Sequence, residues 1–244
     1  MTLKPTDFYD DPAVLSLYLA GRGLPDDGNS TIEEPQIRVM TGSVAGKRVL
    51  DLGCGDGRFA GYSAVAGAAS FHGVDGSEAM LTRARSAVDW PAATWECRNL
   101  EQWTAEPVAY DLVISRMTLH YVTALRRLFA EVRRSLNEGG ALVFSVEHPM
   151  VTSNDNGDFR DQVPGRWIVE NYFSQGARQR HWLGTDVWKQ HRTIADYITA
   201  LHAEGLQLES LSEGEPDPGR FTDPAIYRSR KSIPMYLLMK SVAV

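Results

Sequence analysis

Apolar residues recur along the chain in short blocks that predict alternating strands and helices. Arg48 to Leu52 reads as a buried strand, Gly57 to Ala68 as a small-residue helix, Phe71 to Val74 as a second strand and Ser77 to Val88 as a second helix. Thr94 to Cys97 is a short strand and Asp111 to Ser115 a strongly apolar fourth one. Tyr121 to Leu136 reads as a helix that stops before Gly139 and Gly140, and Ala141 to Val146 as a fifth strand. Strands alternating with helices imply a mainly parallel sheet covered on both faces. Ahead of this block, Pro12 to Leu19 and Ile32 to Met40 read as helices on either side of a Gly/Asp/Asn turn. Ser30 or Thr31 is the expected N-cap of the second, with Glu33 and Glu34 in the first turn, where acidic residues suit the helix dipole.

The rhythm breaks at Glu147. From there to Trp188 the chain is rich in aromatic, Gly, Asn and Arg residues without a clear period. Its aromatics (Phe159, Trp167, Tyr172, Phe173, Trp182) argue against disorder, so the stretch reads as an insertion capping the ligand edge of the sheet. A helix over Thr185 to Glu204 follows, then strands over Leu206 to Ser212 and Ile233 to Val242, joined by a Pro/Gly/Asp loop. The expected organisation is one domain over 1–244. It has a helical lid (1–46), a core (47–148), a cap insertion (149–188) and a C-terminal helix with two strands (189–244).

Composition narrows the field. The chain has 244 residues, 43% of them hydrophobic, which suits one compact domain. With 25 basic and 31 acidic residues its formal charge is −6, unlike that of a polyanion-binding protein. The densest basic run, Arg228 to Lys231, reads as a solvated loop. No signal-like N-terminus and no membrane span are visible. Cys54 and Cys97 fall in different elements and form no CxxC pair, so neither a disulfide framework nor a metal site is expected, and a cytoplasmic location is the simplest.

The chemistry concentrates in Val49-Leu-Asp-Leu-Gly-Cys-Gly-Asp-Gly57, an apolar strand running into a glycine turn and then a helix. Glycines serve where backbone turns sharply and a ligand comes close, and open parallel sheets bind ligands at the carboxyl ends of their strands. A dinucleotide fingerprint GxGxxG would need glycine where Arg58 stands. A pyrophosphate prefers bare amides and a positive helix end, whereas Asp51 and Asp56 suit a ligand bearing an ammonium or sulfonium. Asp75 closes the second strand, where a carboxylate can accept both hydroxyls of an adenosyl ribose.

These segments resemble class I S-adenosylmethionine-dependent methyltransferases, and within them the small-molecule type related to ubiquinone and menaquinone biosynthesis. The first motif is the glycine turn, with Asp51, Gly53, Cys54 and Gly55. The second is Val74-Asp-Gly-Ser-Glu-Ala-Met80, in which Asp75 and Gly76 would meet the ribose and Met80 the adenosyl group. Arg98-Asn-Leu100 falls where the family has an acid for the adenine; here Asn99 departs from the pattern and Leu100 offers a backbone amide. Tyr110 to Tyr121 resembles the fourth-strand motif, and Leu136 to Leu142 the turn into the fifth strand. The resemblance implies an α/β, Rossmann-like, doubly wound sheet of seven strands, mainly parallel with an antiparallel last strand inserted beside the fifth, plus the cap. It also implies S-adenosyl-L-methionine as cofactor, S-adenosyl-L-homocysteine as product, and a small-molecule acceptor methylated on O, N or C.

Methyl transfer from a sulfonium mainly demands positioning and exclusion of water, with a base for a protonated acceptor. His120, after the fourth strand, and His148, after the fifth and beside Glu147, are the candidate catalytic residues, because histidine titrates near neutrality. Arg116 and Met117 are expected to line the cofactor. The cap offers Arg166, Trp167, Tyr172, His181 and Trp182. His191, Arg192 and Tyr197 read as structural, and Tyr9, Tyr18 and Asn29 as part of a lid. Two other readings stand beside this one: a nucleotide-dependent oxidoreductase or epimerase, and a non-catalytic adenosyl-binding module. A nucleic-acid substrate is disfavoured by the acidic balance and by the lack of an Asn/Asp-Pro-Pro-Tyr/Phe motif in the fourth-strand segment.

Overall fold

A computed structural model describes residues 2–3, 5–154 and 166–244, with side chains from residue 7 onward. Phe159 of the expected cap lies outside the described residues. In chain order the elements are β1 (Thr2–Leu3), α1 (Pro5–Phe8), α2 (Pro12–Gly21), α3 (Glu34–Thr41), β2 (Arg48–Leu52), α4 (Arg58–Val65), β3 (Ser70–Asp75), α5 (Glu78–Ala87), β4 (Ala93–Cys97) and β5 (Tyr110–Arg116). There follow α6 (Leu125–Ser135), β6 (Leu136–Glu147), α7 (Pro149–Thr152), β7 (Gly176–Trp182), β8 (Thr185–His191), α8 (Ile194–Ala203), β9 (Leu206–Ser212), α9 (Pro224–Lys231) and β10 (Tyr236–Ala243).

Seven strands form one sheet in the order β4-β3-β2-β5-β6-β10-β9. The first five are parallel, and β10 runs antiparallel to both β6 and β9, as the resemblance implied. Helices cover both faces, so the central strands are apolar on both sides: Val49, Leu50 and Leu52 of β2 are all fully buried. One face packs Leu50, Leu52, Val113 and Phe144 against Leu128 and Phe129 of α6 and Tyr197 and Leu201 of α8. The other packs Val49, Phe71, Leu112 and Ile114 against Ile37 of α3 and Phe59 and Ala60 of α4.

Several elements differ from expectation. Residues 185–204 are not one helix: β8 occupies the first seven, and α8 starts after Thr193, whose hydroxyl caps it in a reciprocal pair with Asp196. Within the stretch read as structureless, β7 and β8 form a hairpin turning on Leu183 (φ 50°) and Gly184 (φ 79°), the left-handed pair a two-residue hairpin favours. Strand β1 joins this hairpin in a second, three-stranded sheet. The helix expected over Tyr121 to Leu136 is shorter, running Leu125–Ser135 behind a 3-10 turn at Leu119–Tyr121, and Leu136 already belongs to β6. The glycine turn before the fifth strand is a bulge: Tyr110 faces Leu136, the next pair is Leu112 with Ala141, and Gly139 takes φ 72°. The second N-terminal helix opens as a wide turn, Asn29–Glu33, capped by neither Ser30 nor Thr31. The basic run 228–231 is the last turn of α9, where cations suit the helix dipole, and not a loop.

Candidate active site

The carboxyl ends of β2, β3, β5 and β6 surround a cavity of about 770 Å³, roofed by the N-terminal segment and the hairpin. Its floor is the glycine turn. Gly53 has φ 83°, and a Cβ there would stand 2.1 Å from Thr118 Oγ1, so only glycine fits. Gly53 N–H donates to Val74 O at 2.7 Å, which ties the turn to the tip of β3. Asp75 is held there from both sides: Oδ2 accepts from Gly55 N–H at 2.8 Å and Oδ1 from Ser77 N–H at 2.9 Å. Each oxygen keeps a lone-pair direction for a ligand hydroxyl. Burial raises the Asp75 carboxyl above the usual range, against the pull of those amides.

Asp51 is buried with Oδ1 lacking any partner. Burial pushes its carboxyl up to about 7; Arg116 opposes this, and Asp75 and Glu33 add to it. A buried carboxylate without a donor is costly, and a ligand ammonium would relieve it. Arg22, stacked over Tyr18 with its guanidinium carbon 5.3 Å from the ring centre, has its Nε equally buried and unpartnered. Asp51 and Arg22 thus offer the cavity one anion and one cation of a set that fits an amino-acid zwitterion.

Every residue expected at the cofactor lines this cavity: Asp51, Gly53, Cys54, Gly55, Asp75, Gly76, Met80, Asn99, Leu100, Arg116 and Met117. Their states are informative. Burial lifts the Cys54 thiol well above its ordinary range, so it stays protonated. Asn99 Oδ1 accepts from Glu101 N–H at 2.9 Å, leaving its amide nitrogen as the free end. Arg116 is engaged in a two-pronged pair with Glu33, whose Oε1 also accepts from Ser145 Oγ at 2.7 Å. That pair fastens the N-terminal segment to β5 and β6. Met117 sits at φ 52° and donates its N–H to Ser145 O at 2.9 Å.

The two histidines separate. His120 lines the cavity, almost wholly buried, and its Nδ1 accepts from Glu147 N–H at 3.4 Å. Burial presses it down to about 3, so it is neutral, and its proton sits on Nε2. His148, the other candidate, is not among the residues lining the cavity. Its Nδ1 caps α7 by accepting from Met150 N–H at 3.1 Å, and its Nε2 meets Glu213 Oε1 at 3.1 Å. The proline that follows starts the short helix, and the ring is drawn into its cap.

Of the cap residues named, only Trp182 reaches the cavity. His181 pairs with Asp186 on the surface, and Trp167 Nε1 donates to Ser232 Oγ. Arg192 works from behind, donating to the carbonyls of Leu119, Val122 and Thr123 and so fixing the loop after β5. Tyr197 is core, and His191 bridges Thr152 Oγ1 and Tyr172 O. Tyr9, Tyr18 and Asn29 all line the cavity. Among the lining residues that sequence reasoning did not assign to the site are Arg22, Tyr121, Lys189 and Arg230. Lys189 is buried, with Nζ 2.6 Å from Glu147 Oε1 and 4.8 Å from the Trp182 ring centre. Only the cation-plus-aromatic composition near it could have flagged it.

Residues 49–140 match the methyltransferase domain family. An S-adenosylmethionine dependent methyltransferase from Mesorhizobium loti superposes with a TM-score of 0.80 at 35% identity, covering 86% of this chain and 97% of that one. An uncharacterized protein of Haemophilus influenzae is 30% identical over 217 residues, 84% of this chain and 85% of its own. The malonyl-[acyl-carrier protein] O-methyltransferase of Legionella pneumophila is 33% identical over 177 residues, 70% of this chain and 58% of its own. The chain belongs to the S-adenosylmethionine-dependent methyltransferases. It is an enzyme of that class. No helix among the described residues is long and apolar enough to cross a membrane.

Proposed function

We propose that the chain moves a methyl group from S-adenosylmethionine to an O, N or C atom of a small-molecule acceptor, acting as one unit over 1–244 with residues 1–46 and the cap as its lid. The observation that carries this is the unpartnered Asp51 Oδ1 beside a backbone-pinned Asp75 in a single cavity. Asp51 takes the ammonium of the cofactor and Arg22 its carboxylate, each gaining a charge-assisted contact for an atom that lacks one. Asp75 accepts the ribose hydroxyls, and Met80, Asn99 and Leu100 flank the adenine. When bound, the cofactor supplies an electrophilic methyl carbon whose leaving sulfur departs neutral. The protein then needs to orient the acceptor and exclude water. Tyr9, Tyr121 and Trp182 do the second, and His120 donates from Nε2 to help with the first.

A cavity of about 770 Å³ and the −6 charge support a small acceptor over a nucleic acid. Calorimetry with S-adenosylhomocysteine and with NAD tests the cofactor assignment. Micromolar binding of the first and none of the second is expected, and the reverse would end it. Release of S-adenosylhomocysteine on adding an acceptor distinguishes an enzyme at work from a binding module.

A further inference from the structure

Beyond the expected position of the sulfur, the cavity wall presents hydrogen-bond donors and lacks a free base. Asn29 Oδ1 accepts from the Tyr236 hydroxyl at 3.1 Å, so its amide nitrogen is the end left for a ligand. His120 Nδ1 is taken by the Glu147 amide, which leaves Nε2–H. Lys189 gives one hydrogen to Glu147 and a second to the Tyr121 hydroxyl, which leaves it one. Arg230, on the inner side of α9, lines the cavity half-buried, with no carboxylate within 4.0 Å among the described residues. The carboxylates lining this part of the cavity are engaged: Glu147 pairs with Lys189 at 2.6 Å, Glu33 with Arg116, and Asp27 accepts from the Asn29 and Ser30 amides and the Ser30 hydroxyl.

Such a wall cannot readily strip a proton from a neutral alcohol or amine. It is suited to an oxygen that arrives already ionised. We infer that the acceptor is a carboxylic acid, held as its anion by Arg230 and by the Asn29, His120 and Lys189 donors, and that the product is its methyl ester. This rests on the methyltransferase reading above and names its acceptor class. In the step, a carboxylate oxygen forms a bond to the methyl carbon as the carbon–sulfur bond breaks. The electron pair of that bond leaves with sulfur, and no proton is exchanged. The charge of the anion and of the sulfonium cancel, so the enclosed site is left with two neutral products. Arg230 acts in this as a specificity residue, since a guanidinium matches a carboxylate in shape and charge.

The test uses the full chain with tritium-labelled S-adenosylmethionine and paired probes: benzoate with benzamide, cinnamate with cinnamamide, succinate with succinamide. The acids are expected to be methylated and their amides not, and alkali should release the label as volatile methanol, as an ester requires. Arg230→Ala should raise KM for the acids by about tenfold or more while leaving S-adenosylhomocysteine affinity unchanged, with Arg230→Lys in between. Alkali-stable products, equal use of acids and amides, or an unaltered KM in Arg230→Ala would overturn the inference. So would binding of S-adenosylhomocysteine with no quenching of tryptophan fluorescence and no turnover by any acid. Failure to bind S-adenosylhomocysteine at all is a different result: it removes the methyltransferase reading and this inference with it.

Discussion

The site depends on two carboxylates that the fold treats differently. Asp75 is pinned by backbone amides, whereas Asp51 has no donor, and burial holds its carboxyl near 7. Because Asp51 is raised in the folded state, its proton favours the ligand-free fold. That contribution is complete below the ordinary carboxylate range near 3.8 and is lost as pH rises through about 7. A ligand ammonium needs the ionised form, so the sign for binding is opposite. S-adenosylhomocysteine affinity should rise about three- to tenfold from pH 6 to pH 8 and level off above, as calorimetry at fixed salt will show. In Asp51→Asn the affinity should be weak and flat with pH; a wild-type profile in that variant would remove Asp51 from the ammonium role. Asp75→Ala should weaken the same ligand by about 1–3 kcal/mol, because two charge-assisted bonds to ribose are lost. Adenine alone should be little affected by the change, and equal losses for both ligands would instead indicate a collapsed glycine turn.

At the level of elements, His148 illustrates how far sequence order can mislead. A histidine following a strand of a parallel sheet stands at the right address, yet the Pro149 start of α7 draws its ring into a cap. His148→Ala should therefore lower folding stability by about 1 kcal/mol, with S-adenosylhomocysteine affinity unchanged. His148→Asn, which can cap as well, should recover most of the loss in chemical denaturation. A fall in turnover in both variants at unchanged stability would restore the catalytic reading. The core strands were legible because they are apolar on both faces, and the glycine turn because few other ligands require that backbone. The hairpin was not, since its inward positions are charged. Arg178 and Arg180 of β7 and Lys189 and His191 of β8 are buried, while Gln179 and Trp188 face out. Arg178 and Arg180 donate to the carbonyls of Ser153 and Thr152, and Lys189 to Glu147. A period-two pattern written in cations rather than aliphatics is invisible to a hydropathy reading. Glu33 was hidden for the same reason: expected as a first-turn acid of the helix, it is buried against Arg116.

Across the whole molecule, the N-terminal segment and the hairpin form one layer over the cavity, joined by the β1–β8 pairing and by Phe8 stacked on Trp182 at 5.6 Å. Two buried ion pairs fasten it to the sheet, Glu33 with Arg116 and Glu147 with Lys189. Buried pairs gain little net stability, since desolvation offsets much of their attraction. Their value here is geometric: breaking either one by opening leaves a charge uncovered, so the closed arrangement is favoured over partly open ones. A third contact joins the N-terminal segment to α5. Asp10 Oδ1 accepts from Ser77 Oγ at 2.6 Å and from Ala79 N–H at 3.1 Å, so a lid residue caps α5 beside the Asp75 tip. In the function proposed above, lid closure and the ribose site are therefore mechanically joined. Asp10→Ala removes that latch without touching the ligand's expected contacts. Loss of such a cap is worth about 1 kcal/mol, which corresponds to roughly fivefold faster escape when opening limits release. Stopped-flow dissociation of S-adenosylhomocysteine should show that acceleration with little change in the association rate. If both rates stay as in the wild type, the lid opens elsewhere, at the hairpin side, and the Trp182→Ala variant should then carry the faster release.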